Sequence, residues 1–101
     1  MSKMMGKQAS MDLYKTILQL KDLDECYRFF QDLCTVSELR SMEQRYDVAV
    51  LLEKGMIYND ILDRTGASSA TISRVNRALN YGTNGYHQVF DRILKDEKDE
   101  T

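Results

Sequence analysis

The run Ser68-Ser69-Ala70-Thr71-Ile72-Ser73-Arg74-Val75-Asn76-Arg77 holds the side chains of this sequence best suited to chemistry. Read as a helix, it puts Ile72, Val75 and Leu79 on one buried face at i, i+3, i+7. The outward positions are then Ser69, Ala70, Thr71, Ser73, Arg74, Asn76, Arg77 and Asn80, all small or polar, with positive charge only. Small residues at a helix start admit a close neighbour, and the free backbone N–H groups there favour phosphate. Arginine and asparagine farther along match guanine and adenine edges. The chemistry implied is recognition of double-stranded DNA. Ser69, Ala70, Thr71, Ser73 and Arg74 are placed near base edges, with Ser68, Asn76, Arg77 and the upstream Asn59 at phosphates. A rival use of the same face is non-catalytic docking of another protein.

The charge of the whole chain speaks against a polyanion partner. Its 101 residues carry 14 Lys+Arg and 16 Asp+Glu, a net −2 with a pI near 5.3, whereas a nucleic-acid-binding domain usually has a high pI. The distribution answers that objection. From Arg64 to Phe90 run 27 residues without one Asp or Glu, where about four would fall by chance. Arg64, Arg74 and Arg77 make this segment net +3, and the remainder is net −5. Acidity elsewhere weakens non-specific affinity without preventing a salt-sensitive interaction.

Other chemistries find little support. The hydroxyls at 68, 69, 71 and 73 have no G-x-S-x-G frame and no partner signature around the single histidine, His87. Asp22, Asp24 and Glu25 fit a helix N-terminus better than a metal cluster. Neither a Walker loop nor a dinucleotide fingerprint occurs. Cys26 and Cys34, if on one helix, lie about 12 Å apart, beyond disulfide reach, and read as small reduced core residues. No catalytic residue and no metal ligand is assigned. No apolar run approaches the roughly 20 residues of a membrane span, and the start MSKMMGKQAS has no apolar signal core. The expected address is the cytoplasm.

Positioning the Ser68–Arg77 run requires a helix-turn-helix. Tyr58 to about Arg64 forms a short helix with Ile61 and Leu62 inward, and Gly66 falls where the tight turn needs a positive φ. Ser68 or Ser69 caps the next helix, which runs to about residue 80. Leu62 stands where many such motifs keep a small residue. Upstream, Asp12 to about Leu20 and Asp22 to about Leu33 have helical spacing, the second with Leu23, Tyr27, Phe30 and Leu33 as its face. Thr35-Val36-Ser37-Glu38 is a capping box opening a long helix to Lys54, stopped by Gly55. Its stripe is Leu39, Met42, Tyr46, Ala49 and Val50, widened by Val48, Leu51 and Leu52. A last helix spans about 84–95, with Tyr81, Tyr86 and Phe90 as core or interface. The expectation is all-α: about six helices in one domain over 11–95, after a flexible leader (1–10) and before a charged tail (96–101). Apolar faces this wide on so short a chain call for a second copy, with helices over 12–54 as the dimerisation part.

Three blocks carry a family resemblance: LKDLDECYRFFQDLCTVSEL (20–39), RSMEQRYDVAVLLEKG (40–55) and TGASSATISRVNRALNYG (65–82). The chain resembles the Trp repressor superfamily, most nearly its YerC/YecD group, over roughly residues 12–94. The resemblance implies an intertwined all-α homodimer with one helix-turn-helix reading head per subunit. Two heads would meet half-sites about 34–36 Å apart on a pseudo-palindromic operator, as a transcriptional regulator, most simply a repressor. Trp repressor grips tryptophan between two arginines; by motif these match Arg45 and Arg74, with Thr71 beside the second. Val75 and Ala78 depart from the glycine and serine of that site, which argues against tryptophan and leaves room for another small corepressor. The plainer uses are an ion pair of Arg45 with Glu43 or Asp47, and phosphate contact by Arg74.

Overall fold

The structure is a computed structural model that describes the backbone of residues 10–99 and the side chains of residues 10–94. The described residues form six helices and no strand: α1 (Met11–Ile17), α2 (Leu23–Leu33), α3 (Val36–Glu53), α4 (Tyr58–Thr65), α5 (Ser69–Tyr81) and α6 (Gly85–Asp99). The chain divides into two compact units, residues 1–39 and 40–101. The leader expected over 1–10 lies, except for Ser10, outside the described residues, as do the side chains of the charged tail.

The first unit is organised by caps. Asp22 accepts from the Glu25 backbone N–H at 2.8 Å, and the Glu25 carboxylate takes the Lys21 N–H at 2.8 Å. The Thr35 box forms as its spacing predicts: Thr35 Oγ1 accepts from Glu38 N at 3.1 Å, and Glu38 Oε1 accepts from Thr35 N at 2.8 Å. The helix expected to reach Leu20 stops at Ile17, where i→i−3 bonds from Gln19 and Leu20 tighten the last turn. Asp22, the cap of α2, is extended (φ −149°, ψ 175°). Cys26 and Cys34 are free thiols, half-buried. No residue of α1 or α2 is buried. Leu23 is 84% exposed and Leu18 80%.

The second unit has a core. Val48 and Ala49 of α3, Ile61 of α4, Ala67, Ile72, Val75 and Leu79 around α5, and Phe90 and Leu94 of α6 form one buried cluster. Val48, expected only to widen the α3 stripe, is fully buried, while Tyr46 remains 41% exposed. Apolar residues surround so much of α3 that its sequence leaves the inward direction open. Tyr86 stacks obliquely on Phe90 at 5.6 Å between ring centroids, and Tyr46 meets the edge of Phe90 at 6.1 Å. Tyr81, expected in a core or interface, is 85% exposed at the end of α5. Gly82 ends that helix in close quarters, since a Cβ there would clash with the Ala78 carbonyl oxygen. Helix α6 continues to Asp99, past the Lys95 at which its apolar pattern stops.

Candidate nucleic-acid interface

The α4–turn–α5 segment is built from the inside out. Ile61, Ile72 and Val75 are the buried anchors, joined by Leu79. Burying each such side chain stabilises by about 1.5–3 kcal/mol. Leu62 packs half-buried against the core, so the larger residue at this crossing is accommodated. Gly66 takes the left-handed conformation (φ 71°, ψ 6°) and its N–H bonds the Leu62 carbonyl, ending α4. Thr65 locks the turn: its hydroxyl donates to the Ile61 carbonyl at 2.8 Å and accepts from Ala67 N at 3.0 Å. From α3, the Gln44 amide donates to the Thr65 carbonyl at 3.3 Å.

With Ile72, Val75 and Leu79 turned inward, the opposite face of α5 is solvent-facing. Ser68, Ser69, Ala70, Ser73, Arg74, Arg77 and Asn80 are exposed, Thr71 and Asn76 half-exposed, and Asn59 is exposed on α4. Among the described residues Arg64, Arg74 and Arg77 form no ion pair, so their charge faces solvent uncompensated. Ser68 caps α5, its Oγ accepting from Thr71 N at 3.1 Å while the two hydroxyls stand 3.1 Å apart. That hydroxyl is committed, which leaves the backbone N–H groups of Ser69 and Ala70 at this end without an intrahelical acceptor. Asn80 donates to Asn76 Oδ1 at 3.2 Å, which leaves the Asn76 NH2 group available to an acceptor.

A model of the Trp repressor protein family matches residues 8–94. The chain belongs to the Trp repressor family. Within that superfamily it falls in the YerC group: it is 52% identical over 95 residues to the uncharacterized protein YerC of Bacillus subtilis (strain 168), covering 94% of this chain and 90% of that one. A TrpR-like protein from Eubacterium eligens ATCC 27750 is 56% identical, with a TM-score of 0.79 over 81% of this chain and 84% of that one. A candidate Trp repressor from Staphylococcus aureus is 46% identical, also at TM-score 0.79, over 82% and 83% of the two chains. Membership in the Trp repressor family points to DNA-binding regulation through the helix-turn-helix, and to a regulator in place of an enzyme.

The residues matched to the family's ligand grip stand as follows. Arg45 is half-buried on α3, Thr71 half-buried and Arg74 exposed on α5. The ion pair of Arg45 with Glu43 or Asp47 is not formed among the described residues; Glu43 faces Arg40 at 3.9 Å. Cavities lined by described residues open in the second unit. One of about 600 Å³ is lined by Tyr46, Ala78, Gly82, Tyr86 and Phe90 among others. Another, of about 370 Å³, is lined by Asp47, Arg64 and Thr65 with apolar neighbours. Neither takes in Arg45, Thr71 or Arg74. Among the described residues no cluster of metal-type side chains forms, and no helix is long and apolar enough to cross a membrane.

Three residues that hold the site escaped the sequence reading. Gln44 and Thr65 fasten the turn, and His87 of α6 holds the end of α5. The His87 Nε2 lies 3.0 Å from the Leu79 carbonyl, and Nδ1 lies 3.4 Å from Glu53. Thr65 was readable as a residue beside the turn glycine. Gln44 and His87 were not, because their partners are remote in sequence.

Proposed function

We propose that this chain is a homodimeric, sequence-specific DNA-binding transcriptional regulator of the cytoplasm, acting as a repressor by occupying a pseudo-palindromic operator. The carrying observation is the exposed face of α5: small residues at its N-terminus, then Arg74 and Arg77 without an acidic partner among the described residues. Ser69, Ala70, Thr71, Ser73 and Arg74 read base edges. Asn59, Asn76, Arg77 and the N-terminus of α5 beside Ser68 hold phosphates. The exposed apolar side chains of α1 and α2 support the dimer, since a second copy is what would cover them in a single folded domain spanning 11–95. Two reading heads then address half-sites about one helical turn apart. A small corepressor near Arg45, Thr71 and Arg74 remains part of this reading, with tryptophan disfavoured by the bulk of Val75.

The test is duplex binding at two salt concentrations by the wild type and by Arg74→Ala/Arg77→Ala. The double variant loses at least about 30-fold in affinity for a selected duplex, at roughly 1–3 kcal/mol for each lost contact, with helicity and dimer mass unchanged. Equal binding by both proteins refutes the assignment of the face. Absence of any wild-type binding at low salt gives the face to a protein partner instead.

A further inference from the structure

We propose that Gln44, on the long helix α3, is a positioning residue for the reading helix and acts by pinning the peptide at the α4–α5 hinge. This rests on the DNA-binding reading above. Thr65 is the last residue of α4, and its carbonyl is one that a helix end leaves without an intrahelical donor. The half-buried Gln44 amide supplies a donor from another element, at 3.3 Å. A carbonyl only accepts, so the NH2 group of Gln44 is the end that faces it.

That carbonyl belongs to the Thr65–Gly66 peptide, whose rotation changes ψ of Thr65 and φ of Gly66 together. The N–H of the same peptide bonds the Leu62 carbonyl at 2.9 Å, so one edge is held within α4 and the Gln44 bond holds the other from α3. The two bonds of the Thr65 hydroxyl, to Ile61 and Ala67, tie the sides of the hinge to each other. They do not tie the hinge to α3; the Gln44 bond does. The shared core holds α3 against α4 and α5 without directional bonds, and Gln44 adds the directional one at the point where α5 leaves the turn.

A small error at this point is amplified along α5. Ser69 to Arg77 spans about 12 Å, so a turn of about 10° at the hinge moves the far end by about 2 Å. Hydrogen bonds to base edges tolerate only a few tenths of an ångström. Attraction of arginines to phosphates falls off slowly with distance. Loss of the pin therefore removes sequence selectivity while leaving the non-specific grip.

The experiment compares wild type with Gln44→Met, which deletes the donor at similar volume. The probes are the duplex that wild type selects from a random-sequence library and a scrambled duplex of equal length, at one low salt concentration. The variant binds the selected duplex about tenfold more weakly, the loss of one well-placed hydrogen bond, and the scrambled duplex within about twofold. The Ala67 amide, which the Thr65 hydroxyl holds, exchanges faster with solvent in the variant. Gln44→Glu, which sets a carboxylate against the carbonyl, shifts both readouts further the same way. Equal losses on both duplexes make Gln44 merely structural and overturn the proposal, as does unchanged selectivity. A wild type that selects no duplex sinks the DNA-binding reading and this proposal with it; a selective wild type matched by its variants sinks this proposal alone.

Discussion

The two units of this chain follow the same local rules and reach opposite ends. In each, a hydroxyl or carboxylate caps a helix, and apolar residues recur at helical spacing. In residues 40–101 that spacing closes on itself around Ile61, Ile72 and Val48, each with no exposed surface. In the first unit α1 and α2 bury nothing, and Leu23, Leu18, Tyr27 and Leu33 stay more than half exposed. Helices of 7 and 11 residues are too short to persist in water on propensity alone. The difference teaches that helical spacing of apolar residues does not by itself bury them: the second unit closes a core, and the first leaves its apolar face open, as the proposed dimer requires.

The largest blow to this contrast is a cavity in the second unit. Ile72→Ala is expected to cost about 2–5 kcal/mol, since the removed methyl groups leave a hole among Ile61, Val75 and Leu79. The midpoint of urea unfolding, followed by circular dichroism, reads this loss. A cost within 1 kcal/mol would mean the second unit is packed no better than the first. A smaller, differently shaped effect is expected from Leu23→Ser. In an isolated chain a side chain this exposed is worth under about 0.5 kcal/mol. In a homodimer that covers it, the loss is about 1.5–3 kcal/mol and appears as a dissociation constant raised about tenfold or more. Light scattering across micromolar dilution distinguishes the two. A mass that is unchanged at every concentration would remove the second copy from the account of α2.

How far the sequence alone discloses these features follows the range of the interactions. The Thr35–Glu38 box, the Gly66 turn, the Ser68 cap and the Ile72–Val75–Leu79 face are decided within a few residues, and each stands where the sequence puts it. The direction of α3 is a weaker signal, because Val48 and Tyr46 are both apolar on a helix whose apolar and polar residues are interspersed around its circumference. Membership of the common core decided for Val48. Tyr81 stays out of this core because it lies two residues past Leu79 on α5, about 200° round the helix from the buried face. Of the site, the outward polar face of α5 is legible from periodicity and the missing acids. The ties that aim it are not. Gln44 finds Thr65 across 21 residues, and a glutamine on a helix announces no partner. The same separation of ranges explains why the faces of α1 and α2 are readable as apolar while their cover is not.

The smallest expected effects come from matched caps, one in each unit. Thr35 and Ser68 each accept a backbone N–H at 3.1 Å three residues on, so each alanine substitution costs about 1 kcal/mol of stability. If the units differ in role as well as in burial, the resemblance ends there. Thr35→Ala changes thermal stability and leaves the salt dependence of DNA binding alone, because α3 starts far along the chain from the acid-free segment. Ser68→Ala loosens the first turn of α5, whose Ser69 and Ala70 N–H groups face the proposed phosphate. Its affinity therefore falls a further few-fold beyond the stability loss, with a salt slope reduced by at most about one. Melting curves paired with binding at two salt concentrations separate the cases. Identical behaviour of the two variants would mean the start of α5 is a helix end like any other.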